Sequence, residues 1–289
     1  MKKLLYIVIL FFSFYVAEFA IVTVVGLIDD SLLNSYFGVC FMNSLNALLM
    51  YFIFPWVSIK YIQKENPFSS VKINKGLKSR TLCYIIGICF FMFFAINMFQ
   101  MINEQLPIPS FLDDVIITLD MLQQQSQAVY DSLLNVNAVW KLLIAIVVAA
   151  IIPAVCEEFF FRGWLQTQAS RFVNHHVAIW VLAILFAALH LQYKLFIPQL
   201  LMGALFGYVF YYSRSLWSAI IIHFINNCAT IIVAYLTYNE LVNFDVDDIG
   251  ILSAYILGII ATIIIILFLL LVKRNNYSIN PSDSYIESI

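Results

Sequence analysis

The chain has 289 residues, of which 63% are hydrophobic and only 11% charged, with 15 Lys and Arg against 17 Asp and Glu. Soluble domains carry about 25% charged residues, so a mean hydropathy of +0.92 excludes a soluble domain and points to an all-α polytopic membrane protein. Charges sorted by connection leave no basis for a nucleic-acid surface, and five cysteines, all in or beside apolar runs, argue against a disulfide framework.

At the start, Met1-Lys2-Lys3 followed by an apolar run looks like a secretory signal. The run continues to about Ile28, contains Glu18 and lacks a small-residue cleavage site, so it reads as a retained first span. Runs able to cross about 30 Å of hydrocarbon lie near residues 4–28, 36–59, 82–101, 139–165, 177–192, 197–212, 216–238 and 249–272. They predict about eight transmembrane helices. The fifth and sixth are short and are expected to form a hairpin buried among the others.

Glu18, Asn43, Asn46 and Asn97 are expected to bond neighbouring helices, and Gly203 and Gly207 to let the sixth helix pack closely. Residues 103–138 are too polar to span. Leu112, Val115, Ile116, Leu119 and Leu122 recur there at helical spacing, which predicts an amphipathic helix on the outer membrane surface. The tail from Asn275 to Ile289 is polar and expected to be disordered. No internal repeat supports a transporter of the inverted-repeat kind.

Orientation follows from the cations. Lys2, Lys3, the segment from Lys60 to Arg80, Arg171, Arg214 and Lys273-Arg274 fall on alternate connections, which the positive-inside rule places in the cytoplasm. The opposite connections hold Asp29 and Asp30; Glu104, Asp113, Asp114, Asp120 and Asp131; and Glu240, Asp245, Asp247 and Asp248. Both termini are therefore expected inside. Lys141 and Lys194 are exceptions that can snorkel from helix ends.

The unusual residues sit in the fourth run, in Cys156-Glu157-Glu158-Phe159-Phe160-Phe161-Arg162. Ionisable groups at membrane depth are costly and read by default as functional. On a helix, Glu158 and Arg162 share a face while Glu157 points about 100° away. Glu158 is thus expected to pair with Arg162 as a structural ion pair, leaving Glu157 in low dielectric as a general base. Pro153 cannot donate to the Ala149 carbonyl, which predicts a kink just before the acidic pair.

His190 ends Phe186-Ala187-Ala188-Leu189-His190, with Phe186 one turn below it. In His223-Phe224-Ile225-Asn226-Asn227, the helical spacing favours Asn227 over Asn226 as the companion of His223. Glu157, His190, His223 and Asn227 converging in a cavity within the bundle could deprotonate a water and stabilise an oxyanion. A lone intramembrane histidine more often makes an interhelical hydrogen bond than does chemistry; for the Glu-Glu-Arg cluster the balance reverses. Cys156 reads as a packing residue, and His175 and His176 as solvated. H-E-x-x-H, Gly-x-Gly-Asp and Gly-x-Ser-x-Gly are all absent from the chain, so three other protease chemistries lack their signatures.

Glu157-Glu158-x-x-x-Arg162, Phe186-x-x-x-His190 and His223-x-x-x-Asn227, in this order on successive apolar segments, resemble the CPBP family over about residues 139–240. That family contains the CAAX prenyl endopeptidases and the bacteriocin-processing, immunity or abortive-infection proteins. The resemblance implies an intramembrane glutamic endopeptidase in which Glu157 activates water, His190 helps position it, and His223 and Asn227 stabilise the oxyanion. Glu158, Arg162 and Phe186 would support the site. It favours a mechanism without cofactors; zinc held by Glu157, His190 and His223 is the alternative.

Three parts follow: 1–135, N-terminal spans with a basic loop and the external segment; 136–240, the catalytic core; and 241–289, the last span and tail. The expected substrate is a small hydrophobic or membrane-associated peptide or protein, in a bacterial cytoplasmic membrane. The other class is a non-catalytic immunity or regulatory scaffold with a membrane sensor or transporter as partner; a proton-linked carrier is a third. One depth problem remains. At about 1.5 Å per residue, Glu157 and His223 lie about 10–12 Å from the cytoplasmic side but His190 near 20 Å, which predicts a sunken hairpin around Leu191 to Phe196.

Overall fold

Backbone in lipid must satisfy its own hydrogen bonds, and every regular element among the described residues is helical. The computed structural model describes residues 2–28, 35–107, 111, 113–134, 136–242 and 250–277. Asp29, Asp30, Leu112, Asp245, Asp247, Asp248 and the tail beyond Tyr277, to which some expectations above refer, lie outside them.

In chain order the main helices are α1 (Lys2–Ile28), α2 (Tyr36–Gln63), α3 (Ser79–Glu104), α4 (Asp113–Leu134), α5 (Val139–Ala169), α6 (His175–Leu189), α7 (Phe196–Ser213), α8 (Leu216–Tyr238) and α9 (Ile251–Tyr277). This is an all-α integral membrane protein. Among the described residues, seven helices rather than eight are long and apolar enough to cross a bilayer, α7 together with its preceding turn. The exception is the fifth predicted run. As α6 it has 15 residues, about 22 Å at the helical rise and short of the hydrocarbon thickness.

The chain divides into two units. The first comprises Met1–Val71, Ser110–Gln168 and His223–Phe244. Within it, α2 and α5 solve the same problem in the same way. Each contains a proline, Pro55 or Pro153, and in each a wide π-type stretch, Ala47–Ile53 or Val147–Ile151, ends two residues before it. Proline lacks an N–H and crowds the preceding turn, and a wide turn absorbs this without ending the helix.

Rings then lock α2 to α5: Phe52 against Phe159 (4.7 Å between centroids), Tyr51 against Phe160 (5.4 Å) and Phe54 against Trp164 (5.3 Å). The end of α4 docks here too. Leu133 is buried with Cys40 and Val148, and Leu134 packs on the cluster of Ala145, Ala150 and Ile231. Asn46 donates to Glu18 Oε1 at 2.7 Å, joining α2 to α1. Asn43, by contrast, donates to the Val39 carbonyl of its own helix.

The second unit comprises Lys72–Pro109, Ala169–Ile222 and Asp245–Ile289. α6 and α7 pack through Ile179, Ala183 and Ala204. They form the hairpin expected for 177–212, but α6 is not buried among other helices as expected, since Val177, Val181, Ile184 and Leu189 are exposed along it. Gly203 makes their approach possible, since a Cβ there would sit 3.2 Å from Ala183 Cα. The hairpin turn contains His190, then Leu191 in the left-handed region (φ 54°), then a 3-10 turn at Tyr193–Leu195. α3 and α9 pack equally closely through Gly87 under Phe268 and Gly258 under Met98. Asn97 donates within its own helix, to Phe93.

A Cβ at Gly258 would fall onto Met98 Cβ. Overpacking of this kind costs about 1–3 kcal/mol, so Gly258→Leu should lower the thermal unfolding midpoint in detergent by roughly 2–10 °C. An unchanged midpoint would mean that α3 and α9 do not pack so closely.

Candidate active site

A guanidinium inside an apolar helix needs a counter-charge, and α5 supplies it one turn earlier. Arg162 Nη1 donates to Glu158 Oε1 at 2.9 Å, with side chains 3% and 0% exposed. The same oxygen accepts from His223 Nδ1 on α8 at 2.8 Å, and His223 is itself 5% exposed. One buried carboxylate oxygen thus joins two helices of the first unit. The arginine also lies over the Phe161 ring, 5.6 Å from its centroid. With Nδ1 donating to an ionised carboxylate, the imidazole of His223 has Nε2 as its remaining polar atom.

Glu157 differs in kind. It is partly buried and takes no part in the bonds to Arg162 and His223; its Oε2, like that of Glu158, is a buried atom with no hydrogen-bond partner among the described residues. Leaving such an atom unsatisfied costs about 1–3 kcal/mol. Its charge acts on Arg162 and on two tyrosines, Tyr51 of α2 and Tyr130 of α4. Neither tyrosine belongs to a sequence motif. The sequence signal for Tyr130 is weak: it lies one turn before Leu133 and Leu134, whose packing fixes the face of α4.

Asn227 Nδ2 donates to the Ala149 carbonyl at 3.3 Å, the carbonyl that Pro153 cannot serve. The proline in α5 thereby anchors the amide on α8. Asn226 Nδ2 in turn donates to Asn227 Oδ1 at 3.3 Å.

The remaining predicted residues are in the second unit. His190 caps α6, and its Nδ1 is 2.7 Å from the Phe186 carbonyl. A carbonyl only accepts, so Nδ1 carries the hydrogen and Nε2 is the lone-pair nitrogen in the neutral ring. The Phe186 ring lies 4.5 Å from the imidazole at 52°. The structure therefore joins Glu158, Arg162 and His223 directly, puts Glu157 and Asn227 in the same unit, and joins His190 to Phe186 in the other. Cys156 is buried. His175 and His176 are exposed, but each leans on a tyrosine of α7: His175 on the Tyr211 ring at 4.8 Å, and His176 on Tyr208, its Nδ1 3.0 Å from the hydroxyl.

Residues 139–229 match the family model described as "Type II CAAX prenyl endopeptidase Rce1-like". Residues 139–229 are thus similar to this protease family. The Rce1-like segment begins with α5 and ends within α8, and Glu157, Glu158, Arg162, Phe186, His190, His223 and Asn227 all fall inside it. No curated protein and no solved structure matches the chain significantly. Among the described residues, no three His, Cys, Asp or Glu side chains are grouped to hold a metal ion.

Removing one partner of a buried pair strands the other charge, at about 3–5 kcal/mol. Arg162→Ala should therefore destabilise the detergent-solubilised protein severely, and the double change Glu158→Gln with Arg162→Met should recover part of the loss. Thermal unfolding of the three variants checks this; equal losses for the single and double variants would contradict it.

Proposed function

We propose that the protein is an intramembrane endopeptidase of the CAAX-protease type that hydrolyses peptide bonds with a water activated by Glu157. The observation that carries this is the contrast between neighbouring carboxylates within the Rce1-like segment. Each keeps a buried Oε2 without a partner among the described residues, but Glu158 commits its Oε1 to Arg162 and His223, and Glu157 shares in neither bond.

In this reading Glu157 takes a proton from water, and the hydroxide attacks the scissile carbonyl. The tetrahedral oxyanion then collapses as the leaving amine receives the proton from Glu157. His190, its Nδ1 fixed on the Phe186 carbonyl, offers Nε2 to orient the water. His223 in its imidazolium form presents Nε2–H to the oxyanion, held at that angle by Glu158. Asn227 has a second amide hydrogen beyond the one given to Ala149, and donates it to the same oxyanion. Glu158 and Arg162 act through His223.

The substrate is a small hydrophobic or membrane-associated peptide or protein, since water and scissile bond must meet inside an apolar bundle. In a bacterial membrane, a peptide pheromone, a bacteriocin leader or a membrane-protein fragment fits better than a prenylated protein. The basic connections argue for both termini in the cytoplasm.

The test is cleavage of a quenched fluorescent peptide library by detergent-purified protein. General base catalysis contributes about 10²- to 10⁴-fold, so Glu157→Gln should lower kcat by that order while the fold persists, and a zinc chelator should leave the rate unchanged. Loss on chelation, restored by zinc, would establish a metalloprotease instead. Absence of cleavage by well-folded protein would favour an immunity or regulatory scaffold.

A further inference from the structure

A helix too short to cross the hydrocarbon leaves the turn after it short of the opposite surface. At about 22 Å, α6 ends in this way, and the turn that follows carries His190 and leads into α7. Backbone groups at such a depth meet no water and must be bonded by the protein itself. The turn serves part of this need internally: the N–H groups of His190, Leu191 and Leu195 donate to the carbonyls of Ala187, Ala188 and Gln192. The buried Gln199, in the first turn of α7, donates from Nε2 to Gln192 Oε1 at 2.6 Å.

A further tie comes from outside the hairpin. Asn103 is the next-to-last residue of α3. Its Nδ2 donates to the Tyr193 carbonyl at 3.0 Å, and its Oδ1 accepts from the Ile197 N–H at 3.0 Å. Ile197 is the second residue of α7, where a helix leaves its N–H groups without an internal acceptor. One amide thus spans the 3-10 turn Tyr193–Leu195, its donor on one side and its acceptor on the other. Both functions are needed: aspartate lacks the donor, and an apolar side chain lacks both.

This clamp bears on His190. The bond from Nδ1 to the Phe186 carbonyl and the packing of the Phe186 ring fix the imidazole relative to α6. They do not fix the end of α6 itself, and helix ends fray. Asn103 holds the chain three residues beyond His190 and again at the start of α7, so the last turn of α6 is braced from α3. Asn103 belongs to no motif and lies before residue 139, outside the Rce1-like segment.

We propose that Asn103 is a positioning residue for His190: by clamping the turn at Tyr193 and Ile197 it holds the imidazole where the reaction uses it, without touching the substrate. This rests on the reading of His190 as the residue that orients the attacking water. A misplacement of about 1 Å in such a group can cost 10²-fold in rate.

The test is a double-variant cycle on detergent-purified full-length protein in the peptide cleavage assay. Asn103→Ala should lower kcat about 10- to 100-fold, with KM within about threefold of wild type. His190→Ala should lower kcat by about 10²-fold or more. The two changes together should cost no more than His190→Ala alone, within about threefold, because nothing is left to position. Gln105→Ala, which removes the bond from the end of α3 to the Tyr255 hydroxyl, should leave kcat unchanged. Losses that multiply in the double variant, or an unchanged kcat in Asn103→Ala, would overturn the proposal.

A second readout needs no activity. Nitrogen NMR of histidine-labelled protein sees only four residues, and the His190 signals are those that vanish in His190→Ala. At a pH where the ring is neutral, wild type should show a single Nδ1–H tautomer for His190, and Asn103→Ala a mixed or broadened signal. Unchanged His190 signals in Asn103→Ala would overturn the proposal. Should wild type cleave no peptide while these signals change as expected, the endopeptidase reading fails and the positioning of His190 by Asn103 stands. Where Asn103→Ala fails to fold, Asn103→Asp carries both tests, since it keeps the acceptor for Ile197 and loses the donor for Tyr193.

Discussion

A guanidinium cannot stay in an apolar helix without a counter-charge, and the pairing of Arg162 with Glu158 is the constraint from which the arrangement in the first unit follows. Once Glu158 is committed to Arg162 on its own helix, its Oε1 becomes a fixed acceptor inside the unit. His223, on a different helix, takes that acceptor through Nδ1, which sets the rotation of α8 against α5 and aims the other ring nitrogen. The neighbouring carboxylate is turned away by helical geometry. A single residue step along α5 therefore separates an acid tied to Arg162 and His223 from one that makes neither bond.

Proline works in the same direction. Pro153 deprives the Ala149 carbonyl of its usual donor, and Asn227 supplies a substitute from α8. The two ties between these helices, Glu158 to His223 and Ala149 to Asn227, hold the imidazole and the amide at successive turns of α8. Wide turns before Pro55 and Pro153 keep both helices continuous, and the interlocked rings of Tyr51, Phe52, Phe54, Phe159, Phe160 and Trp164 hold them together. Each irregularity in α5 is thereby matched by a contact from a neighbouring helix.

Much of this is legible in the sequence because hydropathy and helical spacing are strong signals in a membrane protein. The ends of α1, α5, α7 and α8 lie close to those read from apolar runs, and spacing alone couples Glu158 to Arg162. The short α6 was visible as a short run, although hydropathy counted it as a span. What spacing cannot show is which partner a side chain takes on another helix. His223 bonds Glu158, and Asn227 uses one amide hydrogen on a carbonyl freed by a proline 74 positions earlier in the chain. Tyr51 and Tyr130 approach Glu157 from segments without any motif. The wide turns also escape a reading that assumes 100° per residue throughout.

The division of labour between adjacent glutamates is tested most directly by the thermal unfolding midpoints of Glu157→Gln and Glu158→Gln, measured side by side on purified full-length protein. A structural Glu158 and an uncommitted Glu157 predict a midpoint for Glu157→Gln within about 2 °C of wild type or above it, and a fall of roughly 5 °C or more for Glu158→Gln. Equal midpoints for the two variants, or a larger fall for Glu157→Gln, would contradict the assignment of roles from which the proposed chemistry is built.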